Sequence, residues 1–144
     1  PRLSIIGRGE EEARLRAQVS EAGLEHAVTF HGMRQGEELV ALLNRHRVMV
    51  VPSVWREVYG LVVLEGLACG LKVIASRSGG LVEAVGDAGE LFENGNHVEL
   101  AECIKRTLRS EETPAWRRKV DDHLALHQPY VVAEQYLSLL EGME

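Results

Sequence analysis

Short apolar runs alternate with amphipathic stretches along the whole chain. Residues 3–7 form an apolar run behind which Gly7-Arg8-Gly9 makes a turn, and read as a buried strand. Glu10 and Glu12 then open a helix, each with an arginine four residues on (Arg14 and Arg16), and Gly23 stops it. Residues 27–31 predict a second strand, 32–36 a loop, and 37–46 a helix with Leu39, Val40, Leu42 and Leu43 on its apolar side. Residues 48–51 predict a third strand, closed by Pro52-Ser53. Residues 58–71 hold a single charged side chain, Glu65, and predict a core helix ended by Gly70. A fourth strand follows at 72–76, a short helix opened by Gly79-Gly80 through Val85, and a fifth, short strand at 90–92. The remainder reads as helix. Asn96 with Glu99 fits a capping box, Thr113-Pro114 a cap before a first-turn proline, and Pro129 sets off a last helix at 130–140.

Strands separated by single helices imply parallel β-α-β units with right-handed crossovers, and hence an α/β fold with an open, doubly wound, Rossmann-like parallel sheet. Ligands of such sheets gather beyond the carboxyl ends of the strands, which directs attention to loops 7–9, 32–36, 52–60 and 76–80. The 144 residues suit one domain, 1–144, and at 45% hydrophobic they can bury an ordinary core. Sixteen Lys plus Arg against 22 Asp plus Glu leave a net charge of −6. That balance argues against nucleic acid and against anionic lipid as partners of this domain. No apolar run approaches the roughly 18 residues of a membrane span, no signal segment is present, and two cysteines, Cys69 and Cys103, are too few for a disulfide framework. A cytoplasmic location is the resulting expectation. The chain opens inside a strand without an initiator Met and reads as part of a longer protein.

The Gly7-Arg8-Gly9 turn fails the dinucleotide fingerprint, because Glu12 stands at the third glycine position and no acidic residue closes a second strand as a ribose partner. The segment Pro52-Ser53-Val54-Trp55-Arg56-Glu57-Val58-Tyr59-Gly60-Leu61-Val62-Val63-Leu64-Glu65 carries more chemistry. Two carboxylates stand eight apart, with Gly60 at a helix start where the N–H groups of Gly60, Leu61 and Val62 would face an anion. Glycine admits a phosphate close to the backbone. A carboxylate within an apolar helix needs a partner, and the vicinal hydroxyls of a ribose or sugar would supply one to Glu65. Phosphate at a helix end between hydroxyl-binding carboxylates is the chemistry of a nucleotide sugar. Other candidates are plainer. His123 and His127 lie four apart, but Leu124 replaces the glutamate of a zinc hydrolase helix and no third ligand is in view, so no metal is assigned. Cys69 lacks a His or Asp partner, His31 and Trp116 read as packing, Trp55 as lining the site, and Arg117-Arg118-Lys119 is answered by Asp121-Asp122.

These residues resemble the Glu-x7-Glu motif of the retaining glycosyltransferases of family 4, whose GT-B fold joins two Rossmann-like domains. Further matches follow in order: Phe30-His31-Gly32, Val50-Val51-Pro52-Ser53, Glu57-Val58-Tyr59-Gly60-Leu61, Leu64-Glu65, Ala68-Cys69-Gly70, and Ser78-Gly79-Gly80 with Glu83. The resemblance spans nearly the whole chain as the later part of the C-terminal, donor-binding domain. It implies that the first strand and the N-terminal acceptor domain are absent, together with an upstream phosphate-binding Arg and Lys. It further implies that Glu57 contacts donor-sugar hydroxyls and supports the developing oxocarbenium ion, and that Glu65 binds the ribose. The amides of Gly60, Leu61 and Val62, after Tyr59, would meet the donor phosphates. Met33 and Arg34 would lie against the base, and Gly9 on a loop facing the interdomain cleft. Tyr59 departs from the usual Phe. Gly66 departs from the usual Ala, which should loosen its helix by about 1 kcal/mol. The implied reaction moves a hexosyl group, with retention and without metal or other cofactor, from a nucleoside diphosphate sugar such as UDP-glucose or GDP-mannose to a hydroxyl acceptor. The resemblance leaves base, sugar and acceptor open. A non-catalytic doubly wound interaction module and a nucleotide-sugar epimerase are the alternatives.

Overall fold

The structure is a computed structural model that describes residues 1–142. The predicted alternation is realised as β1 (Leu3–Ile6), α1 (Glu12–Glu21), β2 (Val28–Gly32), α2 (Gly36–Leu43), β3 (Val48–Val51), α3 (Leu61–Ala68), β4 (Lys72–Ser76), α4 (Leu81–Val85), β5 (Glu90–Phe92), α5 (His97–Arg109), α6 (Pro114–Leu126) and α7 (Pro129–Glu141). All paired strands are parallel, as single-helix crossovers demand. The pairing forms two ladders, β1-β2 and β3-β4-β5, where the strand pattern led to an expectation of one open sheet. Alternation along a chain dictates parallel strands; it does not dictate which edges share hydrogen bonds. The chain correspondingly divides into two compact units, Pro1–Leu42 and the part from Leu43 onward.

In the first unit β1 runs beside β2 with Leu3 opposite Val28, and the register shifts between Ile5 and Ile6. His31, expected as packing, is half-buried and lies 3.1 Å from the Ser4 hydroxyl, linking the two strands through side chains. Helix α1 begins at Glu12, so Glu10 falls in the preceding turn and Arg14 pairs with Glu11 instead of Glu10. Arg16 pairs with Glu12 as expected and lays its guanidinium 4.2 Å above the Phe30 ring.

The second unit is built around β4, all five residues of which are buried. Strand alternation sends its side chains to two faces. Val73 and Ala75 join Val63, Leu67, Leu81, Ala84, Val85, Ala88 and Val120, from α3, α4 and α6 and the α4–β5 turn. Ile74 joins Phe92 and Cys103 in a smaller cluster against α5. The core helix expected over 58–71 is shorter, because Gly60 at φ 95° and Gly70 at φ 77° both leave the right-handed helical region. Gly66 is buried in α3, where a Cβ would lie 2.5 Å from Met49 Sδ and 3.2 Å from Val73 Cγ2. Its lower helix propensity is thus the counterpart of close packing on β3 and β4.

The caps hold with one amendment. Thr113 accepts from Trp116 N–H at 3.1 Å. Asn96 accepts from Glu99 N–H at 3.1 Å, but the Glu99 carboxylate takes Glu93 N–H (2.9 Å) and Asn96 Nδ2 (3.3 Å) in place of Asn96 N–H. The capping box is therefore half formed, since Asn96 N–H is already committed to Glu93 O at 2.9 Å. Lys72, at the amino end of β4, reaches the carboxyl end of α5. Its ammonium donates to Ser110 O (2.8 Å), Ser110 Oγ (2.7 Å) and Glu111 O (2.9 Å). All three protons are used, and the cation sits where the helix dipole favours one. Lys72→Met should keep the stem's packing and lose these charge-assisted bonds. Stability should fall by about 2 kcal/mol, read from the urea midpoint; an unchanged midpoint would show that the cap contributes nothing.

Candidate functional site

The carboxyl ends of β3, β4 and β5 converge on one loop. After Val51 the chain runs through residues 52–60 before α3 begins, and each of the next two strand ends tethers it. At the end of β4, Ser76 Oγ donates to Ser53 O (2.6 Å), and just beyond it Ser78 Oγ donates to Trp55 O (3.2 Å). Beyond β5, Asn94 Nδ2 donates to Val54 O (3.2 Å). The loop closes on itself through Glu57 N–H to Trp55 O at 3.0 Å, and Gly80 N–H donates to Glu57 O at 2.8 Å.

Gly79 and Gly80 do more than open α4. A Cβ on Gly80 would overlap Val58 O and stand 2.5 Å from Tyr59 Cα. One on Gly79, at φ 51°, would overlap Glu57 O and stand 2.9 Å from Arg56 Cγ. The two glycines are a seat into which the backbone of residues 57–59 fits. Gly60 faces the same constraint from α4, since its Cβ would meet Leu81 Cδ2 at 2.5 Å, and its φ of 95° suits glycine alone.

On this support Glu57 is exposed, with Oε1 accepting from Ser53 Oγ at 2.9 Å. The amides of Gly60, Leu61 and Val62 occupy the opening turn of α3, before Val63 N–H makes the turn's first bond, to Gly60 O at 2.9 Å. Glu65 follows, about 6 Å along the axis from Leu61. The expectation that Glu65 is buried is corrected: Val63, Gly66 and Leu67 form the buried face of α3, and Glu65 projects from the opposite, exposed side. It is exposed, so its availability to a ligand rests on position and not on burial.

Behind the loop, Tyr59 is half-buried, with its ring 5.9 Å from that of His127, which in turn lies 4.4 Å from His123. His123 Nε2 donates to Ala84 O (2.8 Å) and His127 Nδ1 to His123 O (2.7 Å), tying α6 to α4 beneath the loop. The histidine pair is therefore a packing element. The Tyr59 hydroxyl is buried without a hydrogen-bond partner. Burial, and then the charge of Glu83, push its pKa above the usual phenol value. Cys69 is likewise raised, by burial first and then by Glu65, which keeps it a thiol and not a nucleophile. Glu83 is exposed on α4.

Glu57, Tyr59, Gly60, Leu61, Val62 and Glu65 thus stand on the second unit. Gly9, Met33 and Arg34 stand on the first. Gly9 is exposed and accepts from Glu12 N–H at 3.2 Å; Met33 is exposed; Arg34 Nη1 donates to Met33 O at 3.0 Å and its Nε lies 3.8 Å from Glu38. Sequence reading quoted Ser53 and Ser78 within motif runs but gave neither them nor Ser76 and Asn94 a part in the site. Their signal was only their position at or just beyond strand ends. A cavity of about 340 Å³ lies at the other, amino end of β4 and β5, lined by Lys72, Glu90, Thr107 and Trp116 among others. Lys72 is saturated there, and Arg106 and Thr107 both bond Glu90, so this cavity is read as structural. Among the described residues no group of three or more His, Cys, Asp or Glu could hold a metal ion, and no helix is long and apolar enough to cross a membrane.

The sequence pattern that defines the group 1 glycosyl transferases matches residues 1–119. The chain belongs to that family. It is 39% identical over 114 residues to a D-inositol 3-phosphate glycosyltransferase of Acidothermus cellulolyticus, covering 74% of this chain and 25% of that protein. It is 31% identical over 147 residues to a 2-deoxystreptamine glucosyltransferase of Streptomyces kanamyceticus, covering 97% and 38%. Its fold superposes on Anabaena Alr3699/HepE, solved in complex with UDP and glucose, with a TM-score of 0.75 at 27% identity over 96% of this chain and 40% of that one. The sucrose-phosphate synthase of Thermosynechococcus elongatus gives 0.77 at 31% identity over 99% and 38%. The chain therefore has the Rossmann-like α/β fold of one half of a GT-B protein, and it spans a quarter to two fifths of the length of these proteins. Within it the glycine seat makes a direct prediction. Gly80→Ala should destabilise the chain by about 1–3 kcal/mol. Gly9→Ala, with nothing within 4 Å of its Cβ, should stay within about 0.5 kcal/mol. Chemical denaturation of both variants decides it, and equal midpoints would remove the seat from the account.

Proposed function

We propose that residues 1–144 are the donor-binding part of a retaining glycosyltransferase that moves a hexosyl group from a nucleoside diphosphate sugar to a hydroxyl acceptor. The observation that carries this reading is the opening turn of α3. Three successive amides, from Gly60, Leu61 and Val62, begin a helix beyond the carboxyl end of β3, with exposed carboxylates at Glu57 before them and Glu65 after. Free N–H groups and the positive helix end suit a diphosphate, and carboxylates suit the hydroxyls on either side of it. The α3 dipole and amides would take up charge developing on the leaving diphosphate, so no metal is required of this half. Glu57, oriented by Ser53 through its Oε1, would accept from sugar hydroxyls and stabilise positive charge at the anomeric carbon. Glu65 would bind the ribose. Met33 and Arg34 would contact the base and Gly9 the cleft opposite the acceptor-binding part. The UDP and glucose held by Anabaena Alr3699/HepE support a nucleotide-sugar donor.

Calorimetry with UDP, GDP and ADP tests this. One nucleotide should bind saturably, and Glu65→Ala should weaken it roughly tenfold, the loss of about one charge-assisted hydrogen bond. The fold should be intact, since Glu65 is exposed and outside the core. Equal affinity in the variant would remove Glu65 from the site; no binding by any nucleotide at millimolar concentration, with the upstream Arg and Lys segment added back, would contradict the donor reading.

A further inference from the structure

The loop that presents Glu57 also presents an indole to water. Trp55 is 81% exposed, and Val54 (67%), Val58 (97%) and Leu61 (68%) extend an apolar rim along the same segment. This is not a loose loop with an incidental aromatic. The carbonyls of Ser53, Val54, Trp55 and Glu57 are each held by a donor at or just beyond the end of β4 or β5, Ser76, Asn94, Ser78 and Gly80 respectively. The backbone is fixed while the large side chain it carries is left unpacked. Trp116 shows the contrast: half-buried, its Nε1 donates to Ala88 O at 3.1 Å. A large exposed aromatic on a fixed backbone loses little conformational freedom when a ligand covers it. Exposed apolar patches beside polar groups mark binding surfaces.

The chemistry beside the indole narrows the occupant. Two residues on, Glu57 offers an exposed carboxylate, with Ser53 hydrogen-bonded to it. A pyranose has a C–H face that suits an aromatic plane and a rim of hydroxyls that suits a carboxylate. An acyl chain would meet the apolar rim but would desolvate Glu57 without giving it a donor. We propose that Trp55 is a stacking platform for a pyranose ring, acting with Glu57 as a sugar-specificity residue. This rests on the proposed reading of Glu57 as a carboxylate that binds sugar hydroxyls. The ring could belong to the donor's transferred sugar or to the acceptor; both present the same C–H face and hydroxyls.

The chain has two tryptophans, so Trp116→Phe leaves Trp55 as the only indole emitter. If that variant does not fold, subtracting the Trp55→Phe spectrum from that of the unmodified chain isolates the same signal. UDP, GDP, UDP-glucose, GDP-mannose and the methyl glucoside and mannoside are titrated, with calorimetry in parallel. A saturable blue shift of Trp55 emission with a nucleotide sugar but not its bare nucleotide supports the platform and assigns the ring to the donor. The same shift with a methyl glycoside alone supports it and assigns the ring to the acceptor. Trp55→Ala should then weaken the sugar-bearing ligand about five- to tenfold, leave the bare nucleotide unchanged, and be largely rescued by Trp55→Phe. Nucleotide-sugar binding by calorimetry with silent emission overturns the platform and leaves the donor reading standing. So does an equal shift with the bare nucleotide, which would put the indole on the base. A glycoside shift with no nucleotide binding retains the platform and removes the donor reading. Silence from every probe in both measurements overturns both.

Discussion

Two glycines at the carboxyl end of β4 have no room for a side chain because the backbone of residues 57–59 lies where their Cβ atoms would be. The rest of the site depends on that approach. It sets Glu57, permits the bond from Gly80 N–H to Glu57 O, and brings Gly60 against Leu81 so that α3 starts where it does. Side chains from the ends of β4 and β5 then tie down the loop's carbonyls. Backbone polar groups that the loop could not pair internally are satisfied, and two carboxylates and an indole are left facing water.

The two ends of the β3-β4-β5 sheet are treated differently. At the amino end, Lys72 is buried and spends its three protons on the α5 terminus, and Glu90 is held by Arg106 (2.5 Å) and Thr107 (3.1 Å). These groups have partners, and their job is to close the structure. At the carboxyl end the polar groups support one another's positions but leave acceptors and amides outward. Between the ends, β4 divides its side chains between two apolar clusters, so that the loops above it rest on a buried strand. A ligand site on the carboxyl side is the arrangement that open α/β sheets favour.

Much of this was legible in the residues. Every predicted strand is present, with bounds moved by one residue at most for β1 and β2, and the cap at Thr113 and the helix stop at Gly70 follow local rules that tertiary context did not override. The group 1 resemblance was readable because its motif residues fall in order over nearly the whole chain. The failures have physical causes. Glu65 was expected to be buried because its helix is apolar in composition, whereas the helical period puts it opposite Val63, Gly66 and Leu67. Gly79-Gly80 read as a helix opening because a close backbone approach from a segment 20 residues away leaves no local trace. Ser53 and Ser78, quoted only within motif runs, and Ser76 and Asn94 were given no role because a serine or asparagine at a strand end looks like any turn residue until its partner carbonyl is known. Two ladders in place of one sheet could not be read from alternation, which is blind to edge pairing.

The central claim is that the opening turn of α3 is an anion site flanked by sugar-binding carboxylates. Amide chemical shifts of the chain, recorded while a nucleoside diphosphate is added, test it most directly. Saturable shifts centred on Gly60, Leu61 and Val62 are the predicted result. Shifts centred instead on the cavity beside Lys72 at the amino end of the sheet would contradict it.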